Sequence, residues 1–168
     1  KPISDLRQAI RQWDGKSAAL MRQIYDANCG SSNFASTLAA LLAEQDYQRG
    51  ASWLLKHHID NGHAVKRDDA QICYTSLDQL THWETQLHIL QTMHALSIDA
   101  AHKAAVHRFL TKNVTSTKTL IRAWSYTGFV ILACQHEEYR AEAQMLLEQA
   151  KQLETAGSIK VRIRKGLE

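Results

Sequence analysis

The position of its single proline is the feature that most constrains what this chain can fold into. The 168-residue sequence holds one proline, Pro2. Proline breaks helices, so a chain without internal proline is free to form long ones. Apolar residues recur at helical spacing through most of the sequence, and no Asn-Gly pair joins two alternating runs as it would in a β-hairpin. We therefore predict an all-α fold.

Apolar periodicity and polar breaks divide the chain into a succession of short helices. Ser31 or Ser32 is predicted to cap the third helix and Asp99 the seventh, and Gly62 is predicted to end the fourth. The predicted segments are 3–13, one following Ser17, one carrying Phe34 to Leu42, Gln48 to Gly62, one following Asp68, Trp83 to Leu96, one following Asp99, one following Ser116, and Glu137 to Ala156.

A weak internal repeat indicates how these helices are arranged. The segments "GASWLL" at 50–55, "THWETQLHILQ" at 81–91 and "IRAWSYTG" at 121–128 align with Trp53, His88 and Trp124 in register, at offsets of 35 and 36 residues. One helical hairpin in every 35 to 40 residues is the period of a HEAT-type solenoid. We therefore predict antiparallel helix pairs stacked in a solenoid, rather than a closed bundle.

The last third of the sequence resembles the closing module of bacterial HEAT-like repeat proteins. "LIRAWSYTGFVILAC" resembles an Arg-Ala-Trp helix, which a Tyr-Ala-Leu helix and the Arg-rich end "SIKVRIRKGLE" then follow. "RGASWLLKHHIDNG" resembles an earlier module, so the resemblance covers about residues 31–168. It implies a single HEAT-like domain over 1–168, with N-terminal helices in 1–30 and a capping helix in 158–168.

The capping helix carries a prediction about packing. Repeat arrays need a terminal unit that covers the last exposed core. We expect Ile159 or Val161, together with Ile163, to pack on Leu146 and Leu153.

Composition sets limits on the class of protein. Charged residues make up 22% of the chain, the net charge is +3, and no run approaches 18 apolar residues, so we predict no membrane helix. Cys29, Cys73 and Cys134 lie far apart and form no Cys-x-x-Cys pair, which argues against a disulfide framework or a structural zinc site. We expect three thiols in a reducing compartment and a cytoplasmic protein.

A tryptophan among charged residues marks the candidate binding site. On a helical wheel of residues 49–61, Arg49, Trp53 and Lys56 lie opposite the apolar side. The repeat alignment places His88 and Gln91 of the next unit beside them. These five residues, with Arg122 further along, are the predicted ligand-binding residues of a concave groove.

Structural roles remain open for two of these residues. Trp53 could instead cover a gap between repeats, because Trp is seldom fully exposed or fully buried. Arg122 could be paired with a carboxylate or with helix-end carbonyls of the next repeat. Trp124 lies on the face of its helix that is predicted to pack.

No motif indicates catalysis. The sequence has no Gly-x-Ser-x-Gly, no His-Glu-x-x-His and no glycine-rich phosphate loop. His57 and Asp60 have metal-ligand spacing, but nothing nearby supplies a third ligand. We therefore predict no catalytic residue, no metal and no cofactor.

Two functions from different classes are consistent with these features. The first is a non-catalytic scaffold that holds a protein or peptide partner in the concave groove. The alternative is nucleic-acid binding, or DNA repair like that of the HEAT-like alkylpurine DNA glycosylases, which this chain resembles in stacking helices beside a groove with tryptophans. In that case Trp53, Lys56, Arg49 and Arg122 would form the groove, with the three cations toward the phosphates and Asp60 or Glu84 as the carboxylate.

Overall fold

The computed structural model of the protein describes residues 3–168, with side chains from Leu6 onward. Helix, counting the 3₁₀ turns, accounts for 74% of the described residues, which form ten α-helices and no strand. The predicted all-α fold is therefore confirmed. The helices are α1 Ile3–Gln12, α2 Ala18–Asn28, α3 Phe34–Leu41, α4 Gln48–Asp60, α5 Arg67–Thr75, α6 Trp83–Thr92, α7 Lys103–Asn113, α8 Thr119–Gln135, α9 Arg140–Leu153 and α10 Gly157–Leu167, with 3₁₀ turns at Leu77–Gln79, Met93–Ala95 and Glu137–Tyr139.

Local chemistry explains where several helices begin and end. The Ser17 hydroxyl accepts a hydrogen bond from the Leu20 N–H and caps α2. Gly62 adopts φ +88 just beyond α4, which confirms it as the predicted helix-ending glycine. The predicted cap at Asp99 is wrong, because Asp99 begins a separate turn before α7 and its carboxylate binds Arg67 instead.

The predicted serine cap of α3 is also wrong. Asn33 occupies the N-cap position of this helix and makes no side-chain capping bond. The Ser31 hydroxyl donates to the Asn33 side chain rather than accepting from a backbone N–H.

The helices contact one another in an alternating order. Helix α4 contacts α6, α6 contacts α8, and α8 contacts α10. In the same way, α3 contacts α5 and α5 contacts α7. Cross-contacts join α3 to α4, α7 to α8 and α9 to α10. Most contacting helices are therefore next, or next but one, along the chain.

Close approach of α8 to its neighbours centres on one glycine. A Cβ on Gly128 would lie 2.4 Å from Leu110 Cδ2 and 3.3 Å from the sulfur of Met93. Phe129 and Leu132 beside it are fully buried. Glycine at this position lets α8 lie against α7 and the 3₁₀ turn that follows α6.

Helix α10 covers the end of the core, as the capping prediction requires. Ile159 and Ile163 are buried in a cluster with Leu147 and Ala150 of α9 and with Ala123 and Tyr126 of α8. The predicted partners on α9 were wrong, since Leu146 belongs to the other core cluster and Leu153 is 79% exposed. Leu147 lies between Ala143 and Ala150 on the buried side of α9, so Leu147 rather than Leu146 meets α10, and Leu153 is the last residue of the helix.

Among residues 3–168, no helix is both long enough and apolar enough to span a bilayer.

Candidate ligand-binding site

The candidate site is built on two neighbouring helices, α4 and α6. Ala51, Leu54, Leu55 and Ile59 of α4 are buried, so the opposite side of this helix is held at the surface. Helical spacing places Trp53 on that surface side, as the wheel predicts. The core contacts of α4 thereby fix the direction in which its polar face points.

A pocket of about 210 Å³ lies between these helices. It is lined by Trp53, Lys56, His57, Asp60 and His88. The structure therefore brings together three of the predicted site residues, including the pair that the repeat alignment placed side by side. His57 and Asp60 complete the pocket, and both lie on the same predicted wheel face as Trp53.

Aromatic stacking and an ion pair shape the α4 side of the pocket. The Trp53 and His57 rings stack, with 5.0 Å between their centroids and 23° between their planes. The Lys56 ammonium donates to the Asp60 carboxylate one helical turn away. The pocket is therefore lined by two aromatic rings beside a neutralised pair of charges.

His88 forms the α6 side of the pocket. Its Nδ1 lies 2.8 Å from the Ser52 Oγ of α4, so a hydrogen bond joins the two helices. Burial, assisted by the positive charges of Lys56 and Arg49 and opposed by Glu84 and Asp60, lowers the pKa of His88 to about 4. The imidazole is therefore neutral at pH 7.

Arg49 supports the pocket rather than lining it. Its Nη2 donates to Glu84 of α6 at 3.0 Å and to the Gly15 carbonyl at 3.3 Å. Its guanidinium lies over the Trp13 ring, 5.8 Å from the centroid. Arg49 thus ties the segment before α2 to α6.

Arg122 and Gln91 do not line this pocket. Arg122 donates to both oxygens of Glu154, at 3.1 and 3.2 Å, and to the Ser116 carbonyl at 2.9 Å. The Tyr126 hydroxyl also donates to Glu154, at 3.1 Å. Of the structural roles left open for Arg122, pairing with a carboxylate is the one observed, whereas the carbonyl that it binds belongs to the segment before α8 and not to a following repeat. Gln91 is half-buried on α6, outside the pocket.

In each of the other two tryptophans of the even-numbered helices, a cationic side chain lies over the ring. Trp124 is half-buried against the core, which confirms its predicted packing, and Arg162 of α10 lies 4.4 Å from its ring centroid. Trp83 is 42% exposed, and the Lys118 ammonium lies 4.5 Å from its ring centroid. Trp53 differs from both because its face contacts a histidine instead of a permanent cation.

Sequence reasoning missed two supporting residues. Ser52 holds His88, and the signal for it was present, since Ser52 precedes His88 by 36 residues and the repeat offset is 35 to 36. Glu154, the partner of Arg122, was predicted inside the helix from Glu137 to Ala156, but α9 ends at Leu153 and the pair is 32 residues apart, which the repeat offset does not match. Within the described residues, no three His, Cys, Asp or Glu side chains are grouped so that they could hold a metal ion.

Comparison with known proteins gives no match: the chain matches no protein-family model, no curated protein sequence and no solved structure.

Glu154→Gln is expected to lower the free energy of unfolding by about 1–3 kcal/mol, measured by urea denaturation. The substitution removes the charge that Arg122 and Tyr126 bind, and the Glu154 side chain is only 15% exposed. Asp99→Asn is the matched control, because its partner Arg67 is 71% exposed and such pairs contribute about 1 kcal/mol or less. Equal losses in the two variants would contradict a structural role for the Arg122 pair.

Proposed function

We propose that this protein is a HEAT-like α-solenoid that binds a protein or peptide partner without catalysing a reaction. The alternating helix contacts support the solenoid, since stacked helix pairs bring each helix against the next and the next but one. Hydrogen bonds at the repeat spacing support it further. Arg49 to Glu84 and His107 to Glu142 each join residues 35 apart, and Ser52 to His88 joins residues 36 apart.

The pocket beside Trp53 is the observation that carries the binding proposal. Trp53 is half-buried, its ring stacks on His57, and it borders a pocket between two helices that share a hydrogen bond. Aromatic side chains held at the edge of a pocket are the residues that most often dominate the energy of protein–protein binding. A peptide side chain inserted between α4 and α6 would bury the exposed part of this indole.

The charges around the pocket favour a peptide over a nucleic acid. Phosphate binding depends on cations that are free to release their counterions. Each of the three cations predicted to contact phosphates has a carboxylate partner, namely Glu84 for Arg49, Asp60 for Lys56 and Glu154 for Arg122. The nucleic-acid and glycosylase-like alternatives therefore have less support than peptide binding.

Trp53→Ala is expected to weaken peptide binding by about 2 kcal/mol or more, which corresponds to about thirtyfold in Kd. Peptides would be selected from a random displayed library on the purified protein, and their affinities measured by calorimetry. The physical reason is the loss of the aromatic surface of the pocket. Because Trp53 also packs on the margin of the core, affinities are compared at a temperature at which circular dichroism shows both proteins folded.

Trp83→Ala is the matched control, since Trp83 is an exposed tryptophan of α6 outside the pocket. Its affinity for the selected peptides should equal that of the wild type. Peptides that bind the Trp53 variant as tightly as the wild type would contradict the proposed site. A steep fall in binding of a DNA duplex with rising salt, together with the absence of selected peptides, would favour the nucleic-acid alternative.

A further inference from the structure

The contact between Ser52 and His88 indicates which ring nitrogen of His88 carries the proton. Ser52 is 1% exposed, and its hydroxyl has one hydrogen to donate. The Ser52 Oγ lies 3.1 Å from the Arg49 carbonyl, in the geometry of a donated hydrogen bond. If the Ser52 hydrogen is directed to that carbonyl, the Ser52 Oγ can only accept from His88, and this arrangement places the histidine proton on Nδ1, 2.8 Å away.

The proton on Nδ1 leaves Nε2 with a free lone pair. A neutral imidazole has one N–H and one acceptor nitrogen, so Nε2 is the acceptor. The cations that face His88, Lys56 and Arg49, also favour an unprotonated nitrogen on this ring, while Glu84 and Asp60 act in the opposite direction. No hydrogen bond from a described residue reaches Nε2, and His88 lines the pocket.

The other residues of the pocket determine the shape and charge of the group that can donate a hydrogen bond to Nε2. The Trp53 and His57 rings, which stack on each other, both line the pocket, so a bound group contacts aromatic side chains there. The charges near the pocket cancel in two pairs, Lys56 with Asp60 and Arg49 with Glu84. A charged ligand therefore gains little, whereas a neutral aromatic ring gains both an aromatic contact and a hydrogen bond.

We propose that the pocket between α4 and α6 binds a neutral aromatic ring carrying an N–H or O–H donor, with the donor directed at His88 Nε2. A Trp or Tyr side chain has this chemistry. That the ring belongs to a peptide rests on the proposed function, whereas recognition of the ring by the pocket does not.

Indole and benzofuran provide the test, because they share a shape and differ in the N–H that only indole has. Each would be titrated into the ¹⁵N-labelled protein, with the ring nitrogens of His88 followed by NMR. We expect His88 to be Nδ1–H, indole to shift the Nε2 resonance, and indole to bind about threefold to tenfold more tightly than benzofuran, the factor expected of one net hydrogen bond. Equal affinities, or a proton on Nε2, would overturn the proposal.

Two variants separate the acceptor from the general shape of the pocket. His88→Phe keeps a ring but removes the acceptor, so indole and benzofuran should bind it equally. Ser52→Ala keeps His88 but removes the group that fixes its proton, so both tautomers should appear in the spectrum and the preference for indole should fall. A preference for indole that survives His88→Phe would assign the donor contact to another residue.

The proposed function fails independently of this inference. Peptide binding that depends on Trp53, together with equal affinities for indole and benzofuran, would preserve the function and reject the donor specificity. A preference for indole that depends on His88, without any peptide whose binding depends on Trp53, would preserve the donor specificity and reject the proposed function.

Discussion

Ile163→Ala is expected to lower the free energy of unfolding by about 2–5 kcal/mol, the range for removing a large aliphatic side chain from a core. Ile163 is 2% exposed and packs in the cluster that joins α8, α9 and α10. The loss should appear in urea denaturation as a lower midpoint with an unchanged slope, since the unfolded surface barely changes.

Leu153→Ala is the matched control for Ile163→Ala. Leu153 is also a large aliphatic residue near the end of the chain, but it is 79% exposed, so its truncation should change stability by about 0.5 kcal/mol or less. If both variants lost the same amount of stability, α10 would not cover the core as described.

A truncation after Ala156 should lower the melting temperature clearly, because it exposes Leu147 and Ala150.

Acid is expected to destabilise the protein between pH 6.5 and 4, by on the order of 3 kcal/mol through His88. The pKa of this histidine falls from 6.5 to about 4 in the folded state, mainly because its ring is buried. The unfolded chain therefore takes up a proton at a higher pH than the folded protein does. The contribution of His88 to stability is present above pH 6.5 and is lost as the pH falls toward 4.

Unfolding free energies of the wild type and His88→Phe, measured by urea denaturation at pH 7 and pH 4.5, check this expectation. The variant has no group to titrate at position 88, so it should lose clearly less stability over the interval. Some dependence should remain, because burial and the stacked ring of His63 also lower the pKa of His58. A variant that loses as much stability as the wild type would show that the buried His88 is not the main acid-sensitive group.

The helical fold was predictable because its signals are local. Apolar periodicity predicted a helix from Gln48 to Gly62, and α4 spans Gln48–Asp60. Its apolar side is buried as the helical wheel predicts, at Ala51, Leu54, Leu55 and Ile59. The α9 partners of α10 were predicted wrongly, because Leu146 and Leu147 are adjacent in sequence and either one continues the spacing from Ala143 and Ala150. Leu153 lies at the end of α9, where it is exposed.

Part of the candidate site was predictable from the repeat. A shared register placed Trp53 beside His88, and the structure has both in one pocket. The partner of Arg122 was not predictable, because Glu154 lies in a connection whose path depends on how α9 and α10 pack. The same limit applies to the Ser52 hydroxyl, whose role depends on the side-chain geometry of two helices rather than on residue spacing.

The order of helix contacts has a consequence for how the chain folds. No side-chain hydrogen bond among residues 6–168 joins residues more than 38 apart, and most contacting helices are next or next but one along the chain. Short loops close at low entropic cost, and chains with mostly local contacts fold fast. During synthesis, each helix can therefore pack at once on the one or two helices made before it. Its remaining partners follow within the next few dozen residues. The N-terminal helices can acquire native contacts while α10, which completes the core, is still being translated.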